Sequence, residues 1–155
     1  MADDLNKLVK KIRARTVKKR ITEKVGAAFH TFIAERIFAK GQDATGAQIG
    51  TYSKGYQAQR RRGVIYPKKG QKRNVSYPIS TKVILQATQQ MKNDFDFIVL
   101  PNGNIGSGFK NDYNFKKSEW VENTYNKEIF DLSEKEKRLF AELIDKEIQK
   151  YLDGI

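Results

Sequence analysis

The chain has 155 residues, no cysteine, a single histidine and a net charge of +12. The length fits one domain with a real core, and nine Phe, seven Tyr and one Trp argue against a wholly disordered chain. Lack of cysteine excludes disulfides and thiolate chemistry, and a lone histidine excludes histidine acid–base pairs and multi-histidine metal centres.

The first forty residues read as one helix. Leu5, Leu8, Val9, Ile12, Val17, Ile21, Val25, Phe29, Phe32, Ile33 and Ile37 recur at mostly three- and four-residue steps, with Lys and Arg between them. Such a helix would span roughly 50 Å, too long for a domain of this size. The expectation is therefore either a break near Arg15–Val17 or a first half resting on a neighbouring subunit. The same stretch has no apolar h-region, so it does not read as a secretory signal. No apolar run approaches the ~20 residues of a membrane span, and a soluble, intracellular chain is expected.

Gly41 ends the helix and a glycine-rich turn region runs to Ser53. Ser53 N-caps a short helix over 54–62, closed by Gly63. Residues 63–78 read as a surface loop or loose hairpin, rich in proline, glycine and lysine. A helix is expected over 81–93, with Val83, Ile84, Ala87 and Met91 on one face. A hairpin follows, with strands at 95–100 and 105–109 joined by Pro101–Asn104. Residues 112–127 read as a helix packing through Phe115, Trp120, Val121 and Tyr125, and 129–132 as an extended link. Ser133-Glu-Lys-Glu136 is a capping box opening the last helix, whose stripe is Leu139, Phe140, Leu143, Ile144, Ile148, Tyr151 and Leu152, with Gly154 closing it.

The expected class is α+β in a single domain spanning 1–155. It is mostly helical, with a basic amphipathic N-terminal helix (1–40) and a body (41–155) holding a small antiparallel sheet at about 95–109 and a C-terminal helix. The expected core is Phe29, Phe32, Ile33, Ile37, Val83, Ile84, Phe97, Val99, Trp120, Leu139, Leu143 and Ile144.

Catalytic chemistry is hard to find in this sequence. His30 reads as a packing residue beside Phe29. Asp94 with Asp96, and Glu119 with Glu122, share faces of a strand and a helix, where carboxylates are ordinarily solvated charges. The glycines of 103–108 lack the Lys-Ser/Thr and following helix of a phosphate-binding loop. No catalytic residue, cofactor or metal site is expected.

Charge is the most informative feature. Residues 1–80 hold 19 Lys/Arg against 5 Asp/Glu, and residues 81–155 hold 11 against 13. This asymmetry points to a polyanion or an acidic partner facing the first half. Arg60, Arg61, Arg62, Lys68, Lys69, Lys72 and Arg73 crowd into one segment near Tyr52, Tyr56, Tyr66 and Tyr77. Lysine and arginine attract phosphates and tyrosines stack on bases, but basic tyrosine-rich loops also dock on acidic proteins. DNA and protein both remain open as contacts of this loop.

The segments AERIFAKG, Gly46-Ala-Gln-Ile-Gly-Thr-Tyr-Ser53 with Tyr56 and Arg60–Gly63, Ile105-Gly-Ser-Gly-Phe109 and Ile129-Phe-Asp-Leu-Ser-Glu-Lys-Glu136 occur in an order that resembles the tail-completion, or virion-morphogenesis, proteins of tailed bacteriophages. That family includes head–tail joining and tail-terminator subunits. The resemblance covers about residues 30–150. The family's Leu-x-x-Thr-Gly-x-Leu motif is not matched over 83–91, where the glycine is missing.

The resemblance implies a non-enzymatic subunit of a homo-oligomeric ring in the neck, head–tail connector or upper tail of a virion, around the DNA channel. Its implied partners are copies of itself, other phage neck and tail proteins, and genomic DNA contacted without sequence preference. It implies location in the virion and no membrane. The assembly elements would be the helix stripe Leu5, Leu8, Val9, Ile12, Val17 and Ile21 and the basic loop. The alternative reading is a stand-alone basic nucleic-acid-binding protein.

Overall fold

The computed structural model describes residues 2–65, 73–74, 80–85, 89–99 and 105–153, with the backbone alone for 2–17, 65, 73–74 and 105. The first helix, α1 (Ala2–Ala34), is continuous and widens into a π-helical turn at Glu35–Lys40. No break occurs near Arg15–Val17. That stretch holds neither glycine nor proline, so nothing in it interrupts the backbone ladder. Gly41 ends the helix in the left-handed region, with φ 64°. A Cβ here would also lie 2.1 Å from the Val83 carbonyl oxygen, so conformation and space both require glycine.

The remaining elements are α2 (Lys54–Arg61), β1 (Val64–Ile65), β2 (Arg73–Asn74), α3 (Gln90–Asp94), β3 (Phe95–Val99), β4 (Ile105–Phe109), α4 (Asp112–Tyr125) and α5 (Glu134–Asp153). Two two-stranded antiparallel sheets form, β1–β2 and β3–β4. The second has Phe95 opposite Phe109 and Val99 opposite Ile105. The class is α+β, mostly helical, with the long N-terminal helix, the 95–109 hairpin and the C-terminal helix as expected.

The helix expected over 81–93 does not form over 81–85, and 86–88 lie outside the described residues. Instead a bridge joins Thr51 to Lys82, and the Val83 N–H bonds the Gly50 carbonyl at 3.0 Å. Gln90–Asp94 is helical. The β-branched pair Val83–Ile84 suits a strand as well as a helix, and the partner segment 50–52 decides between them.

α1 is the spine of the core. One flank packs on α5, where Phe29 meets Phe140 with ring centroids 4.5 Å apart. The other flank packs on the hairpin. Gly26 lets Phe97 lie directly on the helix, since a Cβ there would fall 2.0 Å from the ring. Phe95 joins the two ends of the core, against Phe38 at 5.6 Å and Phe109 at 5.2 Å. Burying each such ring stabilises the fold by about 2–3 kcal/mol. Ile33, Ile37, Ile49, Val83, Met91, Val121 and Ile129 complete the buried cluster.

Three expected core residues face outward: Phe32 (39% exposed), Val99 (50%) and Trp120 (64%). On α4 the inward face is Asn114–Ser118–Val121, with Asn114 Nδ2 donating to Asp94 Oδ2 at 2.9 Å. The aromatic residues Tyr113, Phe115 and Trp120 therefore point away from the core. Phe97, Leu139, Leu143 and Ile144 are half-buried, and Ile148, Tyr151 and Leu152, expected in the buried stripe of α5, are exposed.

Candidate functional site

The most elaborate polar arrangement gathers around Arg36, in the π-helical turn between the buried Ile33 and Ile37. Its Nε donates to Glu136 Oε1 at 2.7 Å. Nη1 donates to the carbonyls of Gln42 (3.1 Å) and Ile129 (2.9 Å), and Nη2 to that of Asp131 (2.7 Å). The planar guanidinium, with donors in a fixed fork, suits such multidirectional binding. Glu136 also closes the capping box, accepting from the Ser133 N–H at 2.8 Å while Ser133 Oγ accepts from the Glu136 N–H at 3.1 Å. One carboxylate thus caps α5 and neutralises the arginine.

Two further carboxylates fix the flanking loops. Glu122 Oε1 accepts from the N–H groups of Ile129 (2.7 Å) and Phe130 (3.0 Å). Asp43 accepts from the Thr45 and Ala47 N–H groups, the Thr45 hydroxyl and Lys127 Nζ. Desolvation pushes the Asp43 carboxyl up, but these hydrogen bonds outweigh it and hold it below the usual carboxylate range. The sequence reading missed Arg36, Asp43 and Lys127 and took Glu122 for a solvated charge. A charged residue inside the Ile33–Ile37–Phe38 run was the available signal.

Beside this junction lies an open groove of about 750 Å³, with Phe32, Leu132 and Leu139 in its lining and Glu128, Asp131 and Lys135 among its charges. It runs from the end of α1 past the 42–46 turn to the start of α5.

Of the basic loop, the structure describes the side chains of Arg60, Arg61 and Arg62. Arg60 is buried, 2% exposed, with its guanidinium 4.8 Å from the centre of the Tyr52 ring and 5.9 Å from that of Tyr56. It is unavailable for the DNA or partner contact expected of it, because cation–π attraction and helix position turn it inward. Tyr52 Oη in turn accepts from the Ile84 N–H at 3.2 Å, and burial pushes the phenol up from its ordinary value. Arg61 and Arg62 are exposed. Arg73 lies on β2, opposite Ile65, while Lys68, Lys69 and Lys72 fall outside the described residues. In the other expected assembly element, Leu5, Leu8, Val9, Ile12 and Val17 lie on the helical backbone of α1, and Ile21 is half-buried.

The carboxylates weighed for catalysis serve structural roles. Asp94 binds the Asn111 N–H and the Asn114 amide. Asp96 pairs with Lys110 and accepts from the Phe97 N–H. His30 stacks on Phe95 with centroids 5.2 Å apart, its Nδ1 lies 3.2 Å from Ser107 Oγ, and burial lowers its pKa against the opposing pull of Asp96. Among the described residues no group of three or more His, Cys, Asp or Glu is placed to hold a metal ion, and no helix is long and apolar enough to cross a membrane. No family model, curated protein or solved structure matches the chain.

Proposed function

We propose that this protein is a non-enzymatic structural subunit of a tailed-phage virion, part of a homo-oligomeric ring in the neck or upper tail around the DNA channel. The observation that carries the reading is where the family-like segments lie. AERIFAKG supplies Arg36, and IFDLSEKE supplies Ile129, Asp131 and Glu136. Segments nearly a hundred residues apart thus share one buried junction, as a family framework would require. The polar contacts of that junction leave no side chain poised for catalysis, while long helical and aromatic surfaces stay open for assembly. The test is mass spectrometry of purified virions from a lysate of the strain that carries the coding sequence. The chain at stoichiometric abundance supports the proposal, and its absence from intact virions contradicts it.

A second reading, a stand-alone nucleic-acid binder, is favoured by the excess of base over acid in residues 1–80 and by the exposed Arg61 and Arg62. It predicts duplex or single-strand binding that weakens steeply with salt. No binding at low salt removes it.

A further inference from the structure

α1 and α5 run antiparallel and in step. Arg36 meets Glu136, Phe29 meets Phe140 and Lys24 meets Glu147. Continued at 1.5 Å per residue, that register sets Asp153, the last residue of α5, level with about residue 18 of α1. The described end of β3 lies near the same height, since Phe95 lies against His30 and Phe97 against Gly26. About 24 Å of helix, residues 2–17, therefore runs on past α5 and the described part of β3. Helical spacing puts Leu5, Leu8, Val9 and Ile12 of this stretch on one face.

The opposite end of α1 carries the groove beside Arg36. Phe32 and Leu132 are exposed within it. Its charged rim includes two internally matched pairs, Lys40–Glu35 and Lys137–Glu134. Glu128 and Asp131 then set two carboxylates against Lys135.

We propose that the first half of α1 from one copy seats in this groove on the next copy. The proposal rests on the ring reading and names its subunit contact. Apolar face meets apolar floor in the helix-in-groove mode. Charge agrees as well, since residues 2–20 carry eight Lys/Arg and two Asp, whereas the groove lining holds more acids than bases in a chain of net charge +12. Insert and groove sit at opposite ends of one rod, so the contact is head-to-tail, the kind that closes a ring when its rotation closes.

The test uses two full-length variants, Leu8→Asp with Ile12→Asp on the insert, and Phe32→Gln with Leu132→Asp on the groove. Light scattering gives their masses and circular dichroism checks that helicity is kept. The wild type is expected as an oligomer and each folded variant as a single chain. An equimolar mixture of the two is expected to form a two-chain complex, because one intact insert still faces one intact groove. Should the groove variant lose helicity, the milder Leu132→Gln takes its place. A monomeric wild type, folded variants that keep the wild-type mass, or a mixture that stays single-chain each overturns the contact. Membership of the virion is measured separately, by virion content, so the failure of this contact and the failure of that reading are told apart.

Discussion

Arg36 and Arg60, both buried, differ in the contacts the structure shows for them. Arg36 is neutralised by a carboxylate and tied to three backbone carbonyls, one six residues on and two more than ninety residues away. Arg60 lies over the rings of Tyr52 and Tyr56, residues within eight positions of it in the chain. The first arrangement is long-range and fixes how three segments meet. The ring contacts of Arg60 are local and seat α2 on the 50–52 segment. A buried cation is thus a tertiary clamp in one place and a packing element in the other.

Breaking the clamp should have the largest effect. Glu136→Ala strands the guanidinium and removes a helix cap, and a loss of about 3–5 kcal/mol is expected in urea unfolding. Arg36→Met combined with Glu136→Leu should recover only part of this, because three carbonyls lose their donors. Full recovery would show that charge neutralisation, and not carbonyl binding, is the clamp's main work.

Arg60→Ala is expected to cost about 2 kcal/mol, the size of a desolvated cation–π contact. Arg60→Met sharpens the contrast. If it matches the wild type in thermal unfolding, Arg60 acts by volume alone and the aromatic clamp is not electrostatic.

Asp43→Asn should cost about 1.5 kcal/mol by weakening charge-assisted hydrogen bonds. It should also flatten the acid limb of the stability profile. The folded carboxyl titrates below its ordinary value, so its contribution is full above the unfolded value near 3.8 and is lost as pH falls through the folded one. An unchanged acid limb in the variant would contradict this.

Glu147→Gln should have the smallest effect. Hydrogen bonds from Lys150 and Lys24 hold Glu147 down at about 2, but these are surface pairs screened by water and salt. Its change in thermal midpoint should be smaller than the other three and should vanish at high salt.

Elements specified by neighbouring residues were legible in the sequence. Ser53 caps α2, with the Tyr56 N–H at 3.3 Å from its Oγ, and the Ser133–Glu136 box opens α5. The strands 95–99 and 105–109 likewise follow their alternation. Illegible were the choices made by residues far along the chain. Residues 81–83 pair with Gly50 and Tyr52 and so stay out of a helix, a pairing no local pattern announces. Helical spacing gave α4 an apolar set without saying which face turned inward, and Asn114 through Asp94 chose the face without Trp120. The site followed the same rule. The run of arginines at 60–62 was visible, but the inward turn of Arg60 was not. Arg36 went unnoticed because three of the four partners of its guanidinium lie 93–100 residues away.

The central claim, that this protein acts by assembling with copies of itself, is tested most directly by the solution mass of the purified chain. Light scattering at low and high salt should find a discrete multi-subunit mass, kept by apolar contact when salt screens the charges. A single-chain mass at every concentration and salt would contradict the claim.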